Sequence, residues 1–315
     1  MGGEPAKKRA AIAALSTVAA TAQQGMAPFQ VAETGRTYSR LADAIEAIGD
    51  AQGTILIAPG TYRECAVQSA GRISYVAVEP GKTIFTRIAC EGKAALVLRG
   101  RGAQVQGIVF SHIEVGDGNG AGIRIEKGPL SVSNAMFLDS QSGILSADDP
   151  ASTVTVDHST FSGLGHDPTG NGAHGIYMGR YRALRVTACR FERGQGGHYV
   201  KSRAPMVEIL DSSFDDSQGH MTNYMIDLSN GAKGRIAGNE FVDGRDKDNH
   251  STLITVAPVG AKNDSSGLVV ENNRARLAPG ADYKPVFVGN WAGEPIVLRG
   301  NILAPGITPT ARRWM

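Results

Sequence analysis

Between His174 and Arg203 the chain reads HGIYMGRYRALRVTACRFERGQGGHYVKSR, which sets His174, Tyr177, Arg180, His198, Lys201 and Arg203 among short apolar and β-branched runs. Imidazole, phenol and amine side chains transfer protons, and guanidinium and ammonium groups hold anions. Their chemistry suits one site for an acidic sugar chain, assembled from neighbouring turns of a repetitive scaffold. Asp227 and Asn230, in MIDLSNG, and His220 and Asn223, in a loop just before, are further candidates for substrate contact. Asp227 can orient His198 or Lys201, or bond its own turn.

The scaffold is legible as a repeat. Phe110, Phe137, Phe161, Phe191, Phe214 and Phe241 end similar phrases, VQGIVF, VSNAMF, VDHSTF, VTACRF, LDSSF and IAGNEF. Their spacing falls in the range of solenoids. Between them comes a second short strand: GIRI, GIL, GIYM, HYVK, MIDL and LITV. Hairpin signals between consecutive strands are scarce, which argues against a β-sandwich, and propeller blades run longer than this period. The expected fold is all-β, a right-handed parallel β-helix in which each coil gives at least two strands and the Phe side chains ladder inside.

Ahead of the repeat, TYSRLADAIEAIG places Tyr38, Leu41, Ala44, Ile45 and Ile48 at helical spacing, with Ser39 as N-cap and Gly49 as stop. A helix across the open end of a β-stack protects its unpaired edge. Residues 36–62 are therefore expected to form the cap and first coil, and 63–303 the remaining coils, within a single domain spanning 23–315. Residues 1–22 have the form of a secretory leader, with Lys7, Lys8 and Arg9 before an Ala-rich stretch and an Ala20-Thr21-Ala22 cleavage site. The expectation is a periplasmic or secreted monomer.

Composition narrows the partners. The formal net charge of +2 gives no global field to attract nucleic acid or a membrane surface, so an anionic partner must be recognised locally. No other stretch approaches the apolar length of a membrane span. Cys65, Cys90 and Cys189 are odd in number and lack a C-x-x-C pair, a pattern that gives poor support to a zinc site or a disulfide framework and makes small core residues the simpler reading. Cys65 and Cys90 could still pair if the fold brings them together. No cofactor is expected, although Gly116–Gly120 (GDGNG) or Asp215-Asp216 could offer oxygen ligands to calcium.

Three phrases carry a resemblance: His174-Gly175-Ile176-Tyr177, Gly197-His198-Tyr199-Val200-Lys201-Ser202-Arg203, and Tyr224-Met225-Ile226-Asp227-Leu228-Ser229-Asn230-Gly231. With them the chain resembles bacterial right-handed parallel β-helix repeat proteins of the pectate-lyase-like superfamily, over most of residues 30–303. That superfamily includes lyases, epimerases and hydrolases of acidic polysaccharides, so the fold does not select the reaction. The resemblance implies a Lys/Arg logic for a uronic acid. Arg203 would neutralise the carboxylate and so acidify the C5 proton. Lys201 would take that proton, and Tyr177 or His198 would supply the acid. A lyase or C5-epimerase is the leading expectation; a non-catalytic glycan-binding scaffold uses the same face without turnover.

Plainer readings exist for several of these residues. Arg180 and Arg182 suit a solvated coil face, and His174 could cap a turn. Lys201 is harder to dismiss, because a Lys beside an Arg gains nothing from like-charge repulsion. A glycoside hydrolase needs two opposed carboxylates; Asp148, Asp149, Asp167, Asp211, Asp215, Asp216 and Asp227 are available, mostly in turns. Counting back from Phe191 and Phe214 sets Tyr177 level with Val200, Met178 with Lys201 and Arg180 with Arg203. Counting from Phe241 sets Asp227 level with Val200 and Asn230 with Arg203. Period-two alternation puts Lys201 and Arg203 on one face and His198 on the other, unless a turn intervenes.

Overall fold

The computed structural model describes residues 27–170 and 172–312. The leader assigned to residues 1–22 lies outside them. The chain winds as a right-handed parallel β-helix, and like strands of successive coils pair in parallel into sheets of twelve, ten and ten strands among the described residues, the first sheet being extended at one edge by Phe29–Val31 and Thr37–Tyr38, which join antiparallel. A coil gives three strands, not only the two visible in the repeat. The third was hidden inside the Phe phrases: Tyr181–Thr187 ends and Arg190–Glu192 begins within one phrase. A bend at a left-handed residue separates them, Asn134, His158, Ala188 and Asp211 holding φ of 50°, 45°, 51° and 50° in successive coils. Such a bend turns the chain from one sheet into the next within two residues.

Phe137, Phe161, Phe191 and Phe214 pair in register and are at most 1% exposed. Their rings stack at 4.7, 4.8 and 4.7 Å, close to the strand spacing of about 4.8 Å, so the ladder is what parallel pairing imposes on one repeated side chain. Beside the bend runs a polar ladder inside the core. Ser212 N donates to Asn239 Oδ1 at 2.9 Å, Asn239 Nδ2 to Asn273 Oδ1 at 3.0 Å, and Asn273 Nδ2 to Asn301 Oδ1 at 2.9 Å. These amides satisfy backbone groups that the sharp bend takes out of the sheets. Cys189 continues this ladder with its thiol toward Thr187 O, so it is buried as a member of a polar row.

The cap is a helix at Leu41–Ile48 that buries Leu41, Ala44, Ile45 and Ile48. It begins later than its spacing suggested, because Tyr38 belongs to a two-residue strand, Thr37–Tyr38. Ser39 is not its N-cap. Glu64 accepts the Leu41 N–H at 2.9 Å, so the first coil supplies the cap through a long-range contact that local sequence does not contain. Gly49 ends the helix at φ 60°, as expected. Cys65 and Cys90 form a disulfide across the first coils, Cα atoms 5.4 Å apart, so these two are not isolated core residues.

Candidate functional site

Ile176–Met178, Val200–Ser202 and Ile226–Leu228 are consecutive strands of one ten-stranded sheet. Their inner residues, Ile176, Val200 and Ile226, are fully buried. Strand alternation then turns the central residues outward. The register is Tyr177↔Lys201↔Asp227↔Thr255, so these side chains form one row across four coils. That is one residue away from the level predicted by counting back from Phe. The cause lies at the next corner, where Met178 to Leu184 encloses residues 179–183 and Ser202 to Val207 only 203–206. The coil carrying Lys201 has lost one turn residue, and a count through the turn carries that deletion into the register.

Arg203 stands just past this strand, with its N–H on Met178 O at 2.8 Å. Its guanidinium donates to Tyr177 Oη at 3.0 Å and to Asn230 Oδ1 at 3.2 Å. Both partners hold the fork over the row. Lys201 lies 3.6 Å from Asp227 Oδ2 and 5.9 Å from the Tyr177 ring centre. Asp227 is only 2% exposed; Ser229 Oγ donates to it at 2.8 Å and Thr255 Oγ1 at 3.2 Å. Burial raises its carboxyl above the usual range, and the Lys201 ammonium and the two hydroxyls pull it partly back.

His198 joins the outward face, against strict alternation. It precedes the strand in a turn made by Gly196 and Gly197 at φ 133° and 57°, which swings its ring to 3.5 Å from Asp227 Oδ2. The His174, His198 and Tyr224 rings stack on three coils at 5.0 and 5.3 Å. His174 Nδ1 also accepts the backbone N–H of His198 at 3.1 Å, which makes His174 an internal cap of this turn. Burial, then the Lys201 charge, pushes the His198 imidazole down to about 3, and burial with the neighbouring His198 and Lys201 pushes His174 well below its usual value. Both rings are neutral under physiological conditions.

These neutral rings give a prediction about stability. An unfolded imidazole binds a proton near pH 6.5, whereas folded His198 refuses one until about 3. Across that window the unfolded chain holds more protons, so stability is full above it and falls as pH drops, by up to about 1.4 kcal/mol per pH unit for each such group. Asp227, shifted upward, acts in the opposite sense. Urea midpoints taken across the window should show a flatter acid limb for His198→Asn than for the parent chain; equal slopes would refute the buried neutral ring.

The remaining predicted residues divide. Asn230 belongs to the cluster through Arg203. Arg180 does not: it is exposed and pairs with Asp148, which also accepts its backbone N–H at 2.7 Å. Arg182 is likewise exposed and bonds Thr153. His220 and Asn223 line a cleft beside Lys201, together with His166, Asp167, His174, His198 and Asp248, enclosing about 500 Å³. His220 pairs with Asp246 and Asn223 with Asp248, so both are wall residues and lie apart from the Arg203 fork.

Sequence reasoning missed what holds that wall. Turns around Gly197, Thr222 and Lys247 stack in parallel register, and Lys247 points inward with a side chain only 1% exposed. Its ammonium reaches Asp216 Oδ2 at 3.0 Å, Asp243 Oδ1 at 3.2 Å and Thr222 Oγ1 at 3.2 Å, and Tyr199 Oη donates to Asp216 at 2.7 Å. Burial raises the Asp243 carboxyl. Asp216 is therefore engaged by an internal cation, and Asp117 accepts Asn119 N within its own turn. Among the described residues no group of three or more His, Cys, Asp or Glu could hold a metal ion.

No protein-family model matches the chain, and no curated protein matches it. Among solved structures it is similar to a pectin methylesterase from Aspergillus niger in deglycosylated form, at 13% identity over 89% of this chain and 88% of that one, with a TM-score of 0.52. A rice weevil pectin methyl esterase is 10% identical over 66% of this chain and 76% of that one, with a TM-score of 0.49. The first of these likenesses is one of fold: both molecules are parallel β-helices.

Proposed function

We propose that this protein acts on a uronic-acid-containing polysaccharide by removing the C5 proton, as a lyase or C5-epimerase, with Tyr177, Lys201 and Arg203 doing the chemistry. The observation that carries the reading is the row Tyr177, Lys201, Asp227 with the Arg203 fork held above it. Arg203 receives the substrate carboxylate and stabilises the negative charge that develops when C5 loses its proton. Lys201 in its deprotonated form takes that proton, its nitrogen positioned by Asp227 Oδ2 at 3.6 Å. Tyr177 accepts from Arg203 through its oxygen, which leaves its hydroxyl proton free to be given away.

In elimination the C5–H bond breaks, its electron pair forms the C4–C5 double bond, and the C4–O bond breaks toward a leaving oxygen that takes the Tyr177 proton. In epimerisation the C4–O bond stays intact: Lys201 keeps the proton it removed, and Tyr177 gives its own proton to C5 from the opposite face. A ring neutral down to about 3 is a poor source of a proton, so of the two candidate acids Tyr177 is preferred and His198 is assigned to holding Asp227. An ester-cleaving reading, suggested by the pectin methylesterases of like fold, finds less support. The carboxylate of the row, Asp227, is buried and already engaged by two hydroxyls, which leaves it poorly placed to attack an ester. The leader pattern and the Cys65–Cys90 disulfide together favour a periplasmic or secreted location.

The test is incubation with a panel of uronic-acid polymers. A rise in ultraviolet absorbance from the new double bond is expected for a lyase, and deuterium incorporation at C5 without that rise for an epimerase. Binding with neither signal would replace the catalytic reading by a glycan-binding scaffold, and new reducing ends without unsaturation would replace it by hydrolysis.

A further inference from the structure

The row that carries Lys201 and Tyr177 does not end at Tyr177. Toward the capped end of the helix it runs on through Leu145 and Arg124 to Val97, in unbroken register. Arg124 is thus an outward cation two coils from Tyr177, and the uronate reading gives it no task. Among the described residues its ion pair is with Glu126, whose Oε1 lies 3.5 Å from Arg124 Nε. That carboxylate is already taken: Lys93 Nζ donates to the same oxygen at 2.8 Å, and Arg99 Nε to the other. Glu91 in turn accepts from both Lys93 and Arg99. Three cations therefore share two carboxylates, and Arg124 is the one left over. Its Nε is shut off from solvent with no hydrogen-bond partner, although the side chain as a whole is 22% exposed. A guanidinium has five donors in a planar fork, so one loose ion pair leaves Arg124 with the capacity to bind an anion.

Between the two guanidiniums the floor is apolar. Leu145, 8% exposed, packs with Ala94, Val97, Ala121 and Tyr177 in a small cluster on the outside of the sheet. The Arg203 fork is held at Tyr177, and from there to Arg124 is two coil spacings, about 10 Å. In a linear chain of pyranoses that alternate in facing, every second unit presents its carboxylate to the same side, a repeat of the same length as two coils. We infer that Arg124 is a second carboxylate-binding site, and that the protein holds at least three sugar units along the row: a uronate on Arg203, the apolar face of the next unit on Leu145, and a second uronate on Arg124. This rests on the uronate reading above and narrows it to polymers that carry acid groups at alternate units, whatever the unit between them carries.

The experiment measures equilibrium binding of galacturonate and mannuronate oligomers, from monomer to tetramer, to the full chain carrying Lys201→Met and Asp227→Asn, which lacks the base and consumes none of them. In the series that binds, affinity should rise by about 10-fold or more from dimer to trimer, the worth of one charge-assisted contact, and by less at the other steps. Arg124→Gln should abolish that step and leave the dimer unchanged. Its unfolding midpoint should stay close to that of the background chain, because Glu126 keeps Lys93 and Arg99. Arg124→Lys, with the charge but not the fork, should retain part of the step. A trimer whose central carboxylate has been reduced to an alcohol should bind as the intact trimer does. A step that survives Arg124→Gln, an even gain with each added unit, dimer and trimer weakened equally by Arg124→Gln, or loss of the step on reducing the central carboxylate would overturn the inference. Arg203→Ala separates the two layers. It should weaken dimer and trimer alike, and if it weakens neither, or if no oligomer binds at all, the uronate reading itself falls and the inference with it.

Discussion

Lys201→Met should lose turnover by about 10²- to 10⁴-fold, the contribution expected of a positioned base, while substrate still binds at Arg203. The reasoning is geometric. Lys201 is outward on the central strand of the row, 3.6 Å from a buried carboxylate that positions its nitrogen. Methionine keeps the stem and its packing and removes the amine. Because it also strips Asp227 of its cation, a stability loss of about 3–5 kcal/mol accompanies the change, as for any buried pair deprived of one member. Adding Asp227→Asn should restore much of that stability without restoring turnover. A double variant that regains activity would show that the single change acted only through folding. Arg203→Lys is the complementary case. It keeps the charge but not the fork shared with Tyr177 and Asn230, so KM should rise along with a fall in kcat.

The largest effect on stability is expected from Lys247→Met, again about 3–5 kcal/mol, since it leaves Asp216 and Asp243 facing each other with no internal cation. The sign with pH is fixed by the carboxyls. Asp243 is already raised by burial, and loss of Lys247 raises such a group further, so protonation relieves the variant and its deficit shrinks as pH falls through the raised range. Urea unfolding at neutral and mildly acid pH reads this directly. A deficit that stays constant or grows in acid would mean that Lys247 contributes by packing alone. The variant should also loosen the wall that Thr222 and Tyr199 share with it, visible as faster amide exchange around residues 219–224.

Much of the scaffold was legible because parallel coils repeat their side chains. The Phe ladder, the capping helix and the outward run from Tyr177 to Arg203 follow from period and alternation. What escaped was set by contacts between coils. The exact pairing slipped by one residue, because a shortened corner leaves no mark in an averaged period. Glu64 as helix cap and His198 on the outward face depend on tertiary turns. Asp216 and Asp243 did carry a signal: each lies two residues beyond an inward Phe, 214 and 241, and alternation points it inside, where a carboxylate demands a cation. The rule is incomplete, since Asp139 holds the same offset from Phe137 but turns out to solvent at φ 45°. Lys247, within RDKDN, read as one more solvated charge.

The corner after Lys201 encloses residues 203–206 where its neighbours enclose one more, and yet the strands on both sides stay in register with the coils above and below. Length at that corner is therefore decoupled from the ladder inside. A lineage can change what overhangs Asp227 by gaining or losing a single codon there, whereas altering the Phe row would require compensating changes in every adjoining layer. Divergence in glycan preference among molecules built this way should be written in insertions and deletions at the corners, with the interior almost silent.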